Sequence, residues 1–514
     1  MNVIVIGSGI NGLVSATELA LKGHAVTVLE RLDRPGGAVR TEELTLPGFR
    51  HDVAAMNLSM FAGSGFHKSH AETLAAHGLE FVPVNRPFAS VFPGGDYFGV
   101  STDLQETLST IPNPEDQAAW QAGLDGFPAR AGALVSLLSA RMTKGGLARA
   151  GWQLLRSQGV DGTLDLLKLL VSSPRNWVEQ NFADPRLHAA LATWGLHLDF
   201  APDISGGAIF PYLESFAGQA MGMVIGKGGA DTVTRALVKV IESRGGQVRC
   251  SAEVARIDVQ SGVAKGVVLA GGESLPADRV IANVAPGILM QLLSGQTADR
   301  RFDRGMKRFR HAPGTMMIHL ALSDLPNWQA EALRKFAYVH IGPTLDDLSR
   351  TYQQAMAGVL PDAPVLVVGQ PTVFDASRAP EGRHTLWVQV RCLPAEIRGD
   401  AAGQIQGCHW HDIKEAYADR VISQIEQYAP GLGGQVLARH VVSPLDLEAE
   451  NPNLVGGDQV CGSHHLSQNF LFRPVRGFAD GHTPVKGLHM VGAAVWPGGG
   501  TGAGSGFMVA QDLR

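Results

Sequence analysis

Apolar positions recur along this chain with two different periods, and the changes of period mark its elements. Val3-Ile4-Val5-Ile6 is an unbroken apolar, β-branched run that stops at glycine, as a strand buried on both faces does. The spacing then turns helical through Leu13, Ala16, Leu19 and Ala20, and a second strand, Ala25 to Leu29, ends on Glu30. Leu79 to Val84 and Ala89 to Phe92 read as short strands, and the turn Pro93-Gly94-Gly95-Asp96 joins the latter to Tyr97–Val100 as a hairpin. From Asp103 to Phe200, Leu, Ala and Trp recur at helical spacing. A helix predicted over Thr232–Ser243 precedes strands near Val248, Glu253–Ile257 and Gly266–Leu269 and a buried strand reaching Asn283. Strands at 312–322, Pro364–Val368, Thr385–Val390 and Val436–Val442, with a helix over His411–Tyr428, suit a second sheet. There the alternation of Leu386, Val388 and Val390 fits a sheet with one face on a cavity. A last strand, Gly487 to Gly492, runs into a glycine-rich helix start through Gly506.

The first of these units carries chemistry. Gly7, Gly9 and Gly12 complete G-x-G-x-x-G between strand and helix. Gly7 permits the tight turn, Gly9 lets a pyrophosphate approach the backbone, and Gly12 lets the helix lie close on the strand. Ile10 and Asn11 open the helix, whose free N–H groups and positive dipole end suit phosphates. Glu30 stands ~20 residues past the glycines, where a carboxylate suits the ribose hydroxyls of an adenosine and repels a 2′-phosphate. Arg31 follows it. Strand, glycines, helix, strand and acid in this order predict a site for FAD or NAD. At the other end, Trp496-Pro497-Gly498-Gly499-Gly500-Thr501 forms a second bare glycine loop, whose helix start suits an anionic flavin edge.

With 514 residues the chain exceeds what one core supports, so two or more domains are expected. A net charge of -5 gives no hint of nucleic-acid binding. Cys250, Cys392, Cys408 and Cys461 form no close pair, so neither a redox disulphide nor a metal site is expected, and isolated thiols fit a cytoplasmic location. No apolar run reaches the ~18 residues a membrane span requires. Between Phe127 and Val178 seven Lys or Arg face two Asp, which leaves two readings: a cap helix with a solvated basic face, or a patch peripheral to a membrane. The first is favoured. His51 and Asp52 are adjacent on an extended stretch and point to opposite faces, one expected solvated and one structural. His464 and His465 are expected to be structural, and no side chain is singled out as catalytic.

The run Glu30, Arg34-Pro35-Gly36-Gly37 resembles the E-x-x-x-R-x-G-G of large FAD proteins of the glutathione-reductase type. With Asn451–Asp458, Leu471–Val475 and Gly487–Gly500, the whole chain resembles the phytoene desaturase-like FAD oxidoreductases. Within them it is most similar to the branch of pyridine nucleotide-disulphide oxidoreductase domain-containing protein two. The resemblance implies an α/β chain: a glutathione-reductase-type FAD-binding Rossmann domain with a discontinuous mixed-sheet substrate domain and a helical cap. The implied segments are 1–100, 226–300 and 481–514 for FAD, 101–225 for the cap, and 301–480 for substrate. It further implies that Gly36, Gly37 and Arg40 lie along the FAD pyrophosphate and that Val254 lies on the adenine side. Gly492 and Trp496 stand in the family's terminal G-x-G-T-H-P-G-G-G, where Trp496 replaces a histidine beside the flavin. The expected activity is transfer of a hydride from a hydrophobic small molecule to flavin N5, in a dehydrogenase or desaturase. With one dinucleotide fingerprint, oxygen or a quinone is the expected electron acceptor. A flavin amine oxidase and a flavoprotein with a regulatory or binding role are the alternatives.

Overall fold

A computed structural model describes residues 1–294 and 297–513. Its centre is a five-stranded parallel sheet in the order Leu488–Met490, Arg279–Ala282, β1 (Asn2–Ile6), β2 (Ala25–Leu29), Gln247–Arg249. The continuous apolar run of β1 is explained by its position, because both faces are covered. Val3 and Val5 pack into one core with α1 (Ile10–Leu21) and the helices Asp231–Ser243 and Gly504–Asp512. Ile4 and Ile6 pack into another, against Ile257 and Val267 of the antiparallel meander Val254–Gln260, Val263–Leu269, Ser274–Pro276.

The second sheet has seven strands, in the order Val436–Val442, Gly314–Leu322, His384–Leu393, Val365–Gly369, Tyr338–Ile341, Phe88–Val91, Tyr97–Val100. All its pairs are antiparallel except Tyr338–Ile341 with Phe88–Val91, so the sheet is mixed. The hairpin 88–100 lies early in the sequence yet belongs to this second sheet. One face packs on the helix Trp410–Glu426; Leu386, Val388 and Val390 point there, into a dry core, and not toward a cavity. Their alternates Trp387, Gln389 and Arg391 take the other face, under the helical layer.

That layer comprises Pro114–Leu138, Lys144–Val171, Pro174–Asn181, Pro185–Ala192 and Ile209–Met221. Three of these helices begin on a polar cap followed by proline: Asn113, Ser173 and Asp184 each accept a backbone N–H of the first turn. In the basic stretch Lys144, Arg149, Arg156 and Lys168 are exposed, and apolar side chains are exposed beside them. The outer side of Lys144–Val171 carries Trp152, Leu155, Val160, Leu164, Leu167 and Val171, with exposures from 46% at Leu155 to 68% at Trp152. The backbone breaks at Gly159, with φ +67°, so Trp152 and Leu155 lie before the kink and Val160, Leu164, Leu167 and Val171 after it; Leu167 and Val171 line an apolar cleft with Leu137 and Phe470. Among the described residues no helix is long and apolar enough to cross a membrane.

His51 and Asp52 also depart from expectation, since both are buried. They form a two-residue strand paired with Thr41–Glu42, and tertiary partners on each side replace solvent. Asp52 accepts from Thr41, from the Ala230 N–H and from Arg378, while His51 meets Thr45 at 2.8 Å. Burial, then His440 and Arg378, lowers the His51 pKa to about 3, so it is neutral at physiological pH.

Candidate functional site

Where β1 ends, the chain makes the expected turn at Gly7, with φ +87°. Gly12 has no room for a side chain, because a Cβ there would sit 2.2 Å from the Gly7 carbonyl oxygen. At Gly9 the crowding comes from a residue the sequence did not single out. Asn283, at the end of the adjacent strand, places Nδ2 2.8 Å from where a Gly9 Cβ would be. The same side chain places Oδ1 2.8 Å from a Cβ on Gly492, and its Nδ2 donates to the Gly7 carbonyl at 3.3 Å. An asparagine closing an apolar strand was the available signal.

Gly7, Gly9, Glu30, Arg31, Gly37, Arg40 and Val254 line one cavity of about 390 Å³. The start of α1 has no side-chain cap, so its first N–H groups are left free for a ligand. Glu30 accepts from the Ser8 N–H and hydroxyl and from the Leu32 N–H, which fixes the carboxylate at the cavity wall. Gly36 bridges to Gly9 and donates to the Ser8 hydroxyl, while a Cβ on Gly37 would lie 3.1 Å from the Gly9 Cα. Arg40 is buried and reaches Glu42 and Glu450, yet its Nε and Nη1 have no hydrogen-bond partner. Arg31 donates to the Ala449 carbonyl. Open N–H groups, an absent side chain at each close approach and a partly satisfied guanidinium fit a pyrophosphate.

Ile10 packs in the helix-side core, and the Asn11 side chain accepts from Ser505 and Gly506 of the last helix. Neither side chain lines the cavity. The Gly492 N–H donates to the Ser505 hydroxyl.

A second cavity, about 200 Å³, shares Ala38 and Ala54 with the first. Gly499, Gly500 and Thr501 form one wall; Met56, Met60, Trp194, Phe210, Tyr338 and Trp387 give it an aromatic and apolar character. Trp496, expected beside the cofactor, faces away. Its indole donates to the Ala140 carbonyl at 2.9 Å and packs on Phe470, because the large ring fills space under the cap. His464 supports the loop instead, accepting the Gly499 N–H at 2.9 Å. His465 contacts Asp199 and does not reach the cavity. Glu214 and Arg391, neither foreseen from sequence, also line it; burial pushes the Glu214 carboxyl up to about 7 and lowers Arg391.

Residues 10–440 match the family model of flavin containing amine oxidoreductases. The chain is 27% identical to the rat pyridine nucleotide-disulfide oxidoreductase domain-containing protein 2, covering 99% of this chain and 93% of that protein. It is also 27% identical to a phytoene desaturase (neurosporene-forming) of Cereibacter sphaeroides, over 97% and 91% of the two chains. Among solved structures, an oxidoreductase from Methanosarcina mazei superposes with a TM-score of 0.65 at 16% identity over the whole of both chains. Cyclohexylamine oxidase from Brevibacterium oxydans gives 0.58 at 16% identity, over 100% and 99%. The fold is therefore shared with these two solved structures. The chain belongs to the flavin containing amine oxidoreductase family and is an FAD-dependent oxidoreductase.

Proposed function

We propose that this protein is a dehydrogenase or desaturase that oxidises a C–H bond of a hydrophobic small molecule held in the second cavity. The aromatic and apolar lining directly beside the Gly499–Thr501 loop carries this reading. In it, Gly7, Gly9, Gly12, Gly36, Gly37 and Arg40 take the pyrophosphate, Glu30 and Val254 the adenosine end, and Gly499, Gly500 and Thr501 the flavin end. The FAD-binding unit is assembled from the segments that build the parallel sheet, and the substrate unit from the seven-stranded sheet with its helical cap. FAD, when bound, supplies a two-electron acceptor that takes hydride at N5. The chain's own contribution is to desolvate and aim the substrate: Trp194, Phe210 and Trp387 exclude water, and Met56 and Met60 adapt to its shape. Oxygen or a quinone would serve as the electron acceptor. The phytoene desaturases among the relatives act on a hydrophobic molecule, which supports the same substrate class here.

Anaerobic mixing of the holoprotein with apolar C–H donors and with amines tests the reading. Bleaching of the oxidised-flavin absorbance by the apolar donors is expected. Bleaching by amines alone would make the protein an amine oxidase, and no bleaching by any donor would favour the binding role.

The exposed Trp152, Leu155, Val160 and Leu164, set among the exposed Lys144, Arg149, Arg156 and Lys168, support contact with an anionic lipid surface. Co-sedimentation with vesicles of anionic lipid, lost in Trp152→Ser/Leu164→Asp, is the expected result. Equal sedimentation of the variant would remove this face from consideration.

A further inference from the structure

The strand His384–Leu393 sends Trp387, Gln389 and Arg391 into the second cavity, and the last of them is a buried cation. Arg391 is 6% exposed, its Nη2 donates to the Leu196 carbonyl at 2.8 Å, and its Nε has no partner. Among the described residues that bond is its only one, and no carboxylate forms an ion pair with it. Those nearest in sign are committed elsewhere. Asp199 accepts from the Tyr352 hydroxyl at 2.9 Å and contacts His465. Asp458 accepts from the Ala312, Val460 and Gly462 N–H groups. Glu214 shares the cavity, but burial alone sets its proton affinity and no cation pulls it down. A guanidinium is expensive to bury unpaired, and the fold does not pair this one.

The remaining polar atoms point the same way. Trp194 Nε1, Trp387 Nε1, Gln459 Nε2 and His197 Nε2 are buried without hydrogen-bond partners, and all four residues line the same cavity. The two indole nitrogens and the amide nitrogen can only donate. His197 stays neutral, held far below its usual range by burial and then by Arg391, so it does not add a competing charge. A pure hydrocarbon would seal these groups in unsatisfied, which buried sites avoid.

We propose that the physiological substrate carries a carboxylate, received by Arg391 with the indole and amide donors around it. This rests on the second cavity being the substrate site and narrows the substrate from any hydrophobic molecule to an amphipathic one with an acidic end. The apolar wall holds the oxidisable carbon skeleton, and Arg391 fixes which end of it enters. A planar fork that donates from two nitrogens suits a carboxylate better than a single carbonyl. Arg391 acts here as a specificity residue that touches substrate away from the reacting carbon.

The test uses the FAD-loaded protein and two probes of one skeleton, cinnamate and the neutral cinnamamide, titrated against the visible flavin spectrum. Cinnamate is expected to perturb the spectrum saturably and to bind on the order of 100-fold more tightly than cinnamamide, as a hydrogen bond to a charged group implies. Arg391→Met should retain FAD and its absorbance while losing that preference, and Arg391→Lys should recover part of it. Equal binding of both probes to wild type, or cinnamate binding unchanged in Arg391→Met, would overturn the carboxylate while leaving the cavity as the substrate site. Loss of FAD from Arg391→Met, with FAD retained in Arg391→Lys, would assign the guanidinium to the cofactor and also overturn it. If neither probe perturbs the flavin, the placement of substrate in this cavity fails first, and the proposal with it.

Discussion

Glu214→Gln isolates the electrostatic cost of the second cavity, because it removes a charge and keeps the shape. Glu214 sits on the helix Ile209–Met221, lines the cavity and has no hydrogen-bond partner there, and burial raises its pKa from 4.5 to about 7. Between those values the folded chain holds a proton that the unfolded chain has released. Stability from this group is therefore complete below pH 4.5 and is lost as pH rises through 7. At about 1.4 kcal/mol per tenfold change in proton affinity, the wild-type glutamate destabilises by about 1 kcal/mol at pH 5 and about 3 kcal/mol at pH 8. With an unfolding entropy of about 2.1 cal/mol/K per residue, a chain of this length shifts its Tm by about 1 °C per kcal/mol. Melting of the wild type and Glu214→Gln at both pH values should show the variant gaining about 2 °C relative to wild type between pH 5 and pH 8. Any constant offset from the amide itself cancels in that difference. A gap that does not change with pH would show that Glu214 ionises freely, and the reasoning from burial would fail.

Three other substitutions probe the frame around the site. Arg378→Met strands Asp52 and Asp375, which the fully buried Arg378 contacts together with the Gly226 carbonyl, and should cost about 3–5 kcal/mol in urea unfolding; a loss under about 1 kcal/mol would contradict that role. Gly12→Ala puts a methyl 2.2 Å from the Gly7 carbonyl oxygen and should yield protein without bound flavin, measured as the 450 nm to 280 nm absorbance ratio on the order of zero. Trp496→Phe removes the indole bond to Ala140 and should lower stability by about 1 kcal/mol while leaving the flavin spectrum as it was. A shifted spectrum would place that ring at the cofactor.

The parallel unit was legible because its information is local. β1, three glycines, α1, β2 and Glu30 lie within thirty residues, and each glycine's reason could be stated from spacing alone. The second sheet was legible only as strands. Its strand order sets the hairpin 88–100 at the edge, against Tyr338–Ile341 about 250 residues later, and no local pattern encodes that pairing. The alternation in His384–Leu393 predicted a sheet with one face on a cavity but did not say which face. Apolar residues suit a dry core, while polar residues can face a closed cavity as readily as water, and periodicity does not distinguish the two. Asn283, Glu214 and Arg391 escaped for the same reason: each becomes chemically distinctive only through residues far away in the chain. Trp496 was misplaced because a motif position fixes the backbone of a loop but not the direction of a side chain.

The union of the first and last helices has a consequence for how the protein is made. Asn11 receives hydrogen bonds from Ser505 and Gly506, and the second spans 495 positions of sequence. A Cβ on Gly506 would lie 2.1 Å from the Asn11 carbonyl oxygen, so the two backbones touch. On the ribosome, the opening βαβ unit emerges hundreds of residues before the strand Leu488–Met490 and the helix that close its sheet and cover α1. Its apolar flank has no native cover during that interval, and a nascent chain in this condition is a client for chaperones. Flavin binding is therefore expected only once the helix Gly504–Asp512 has been made, and deleting that helix should be felt first at the opposite end of the chain.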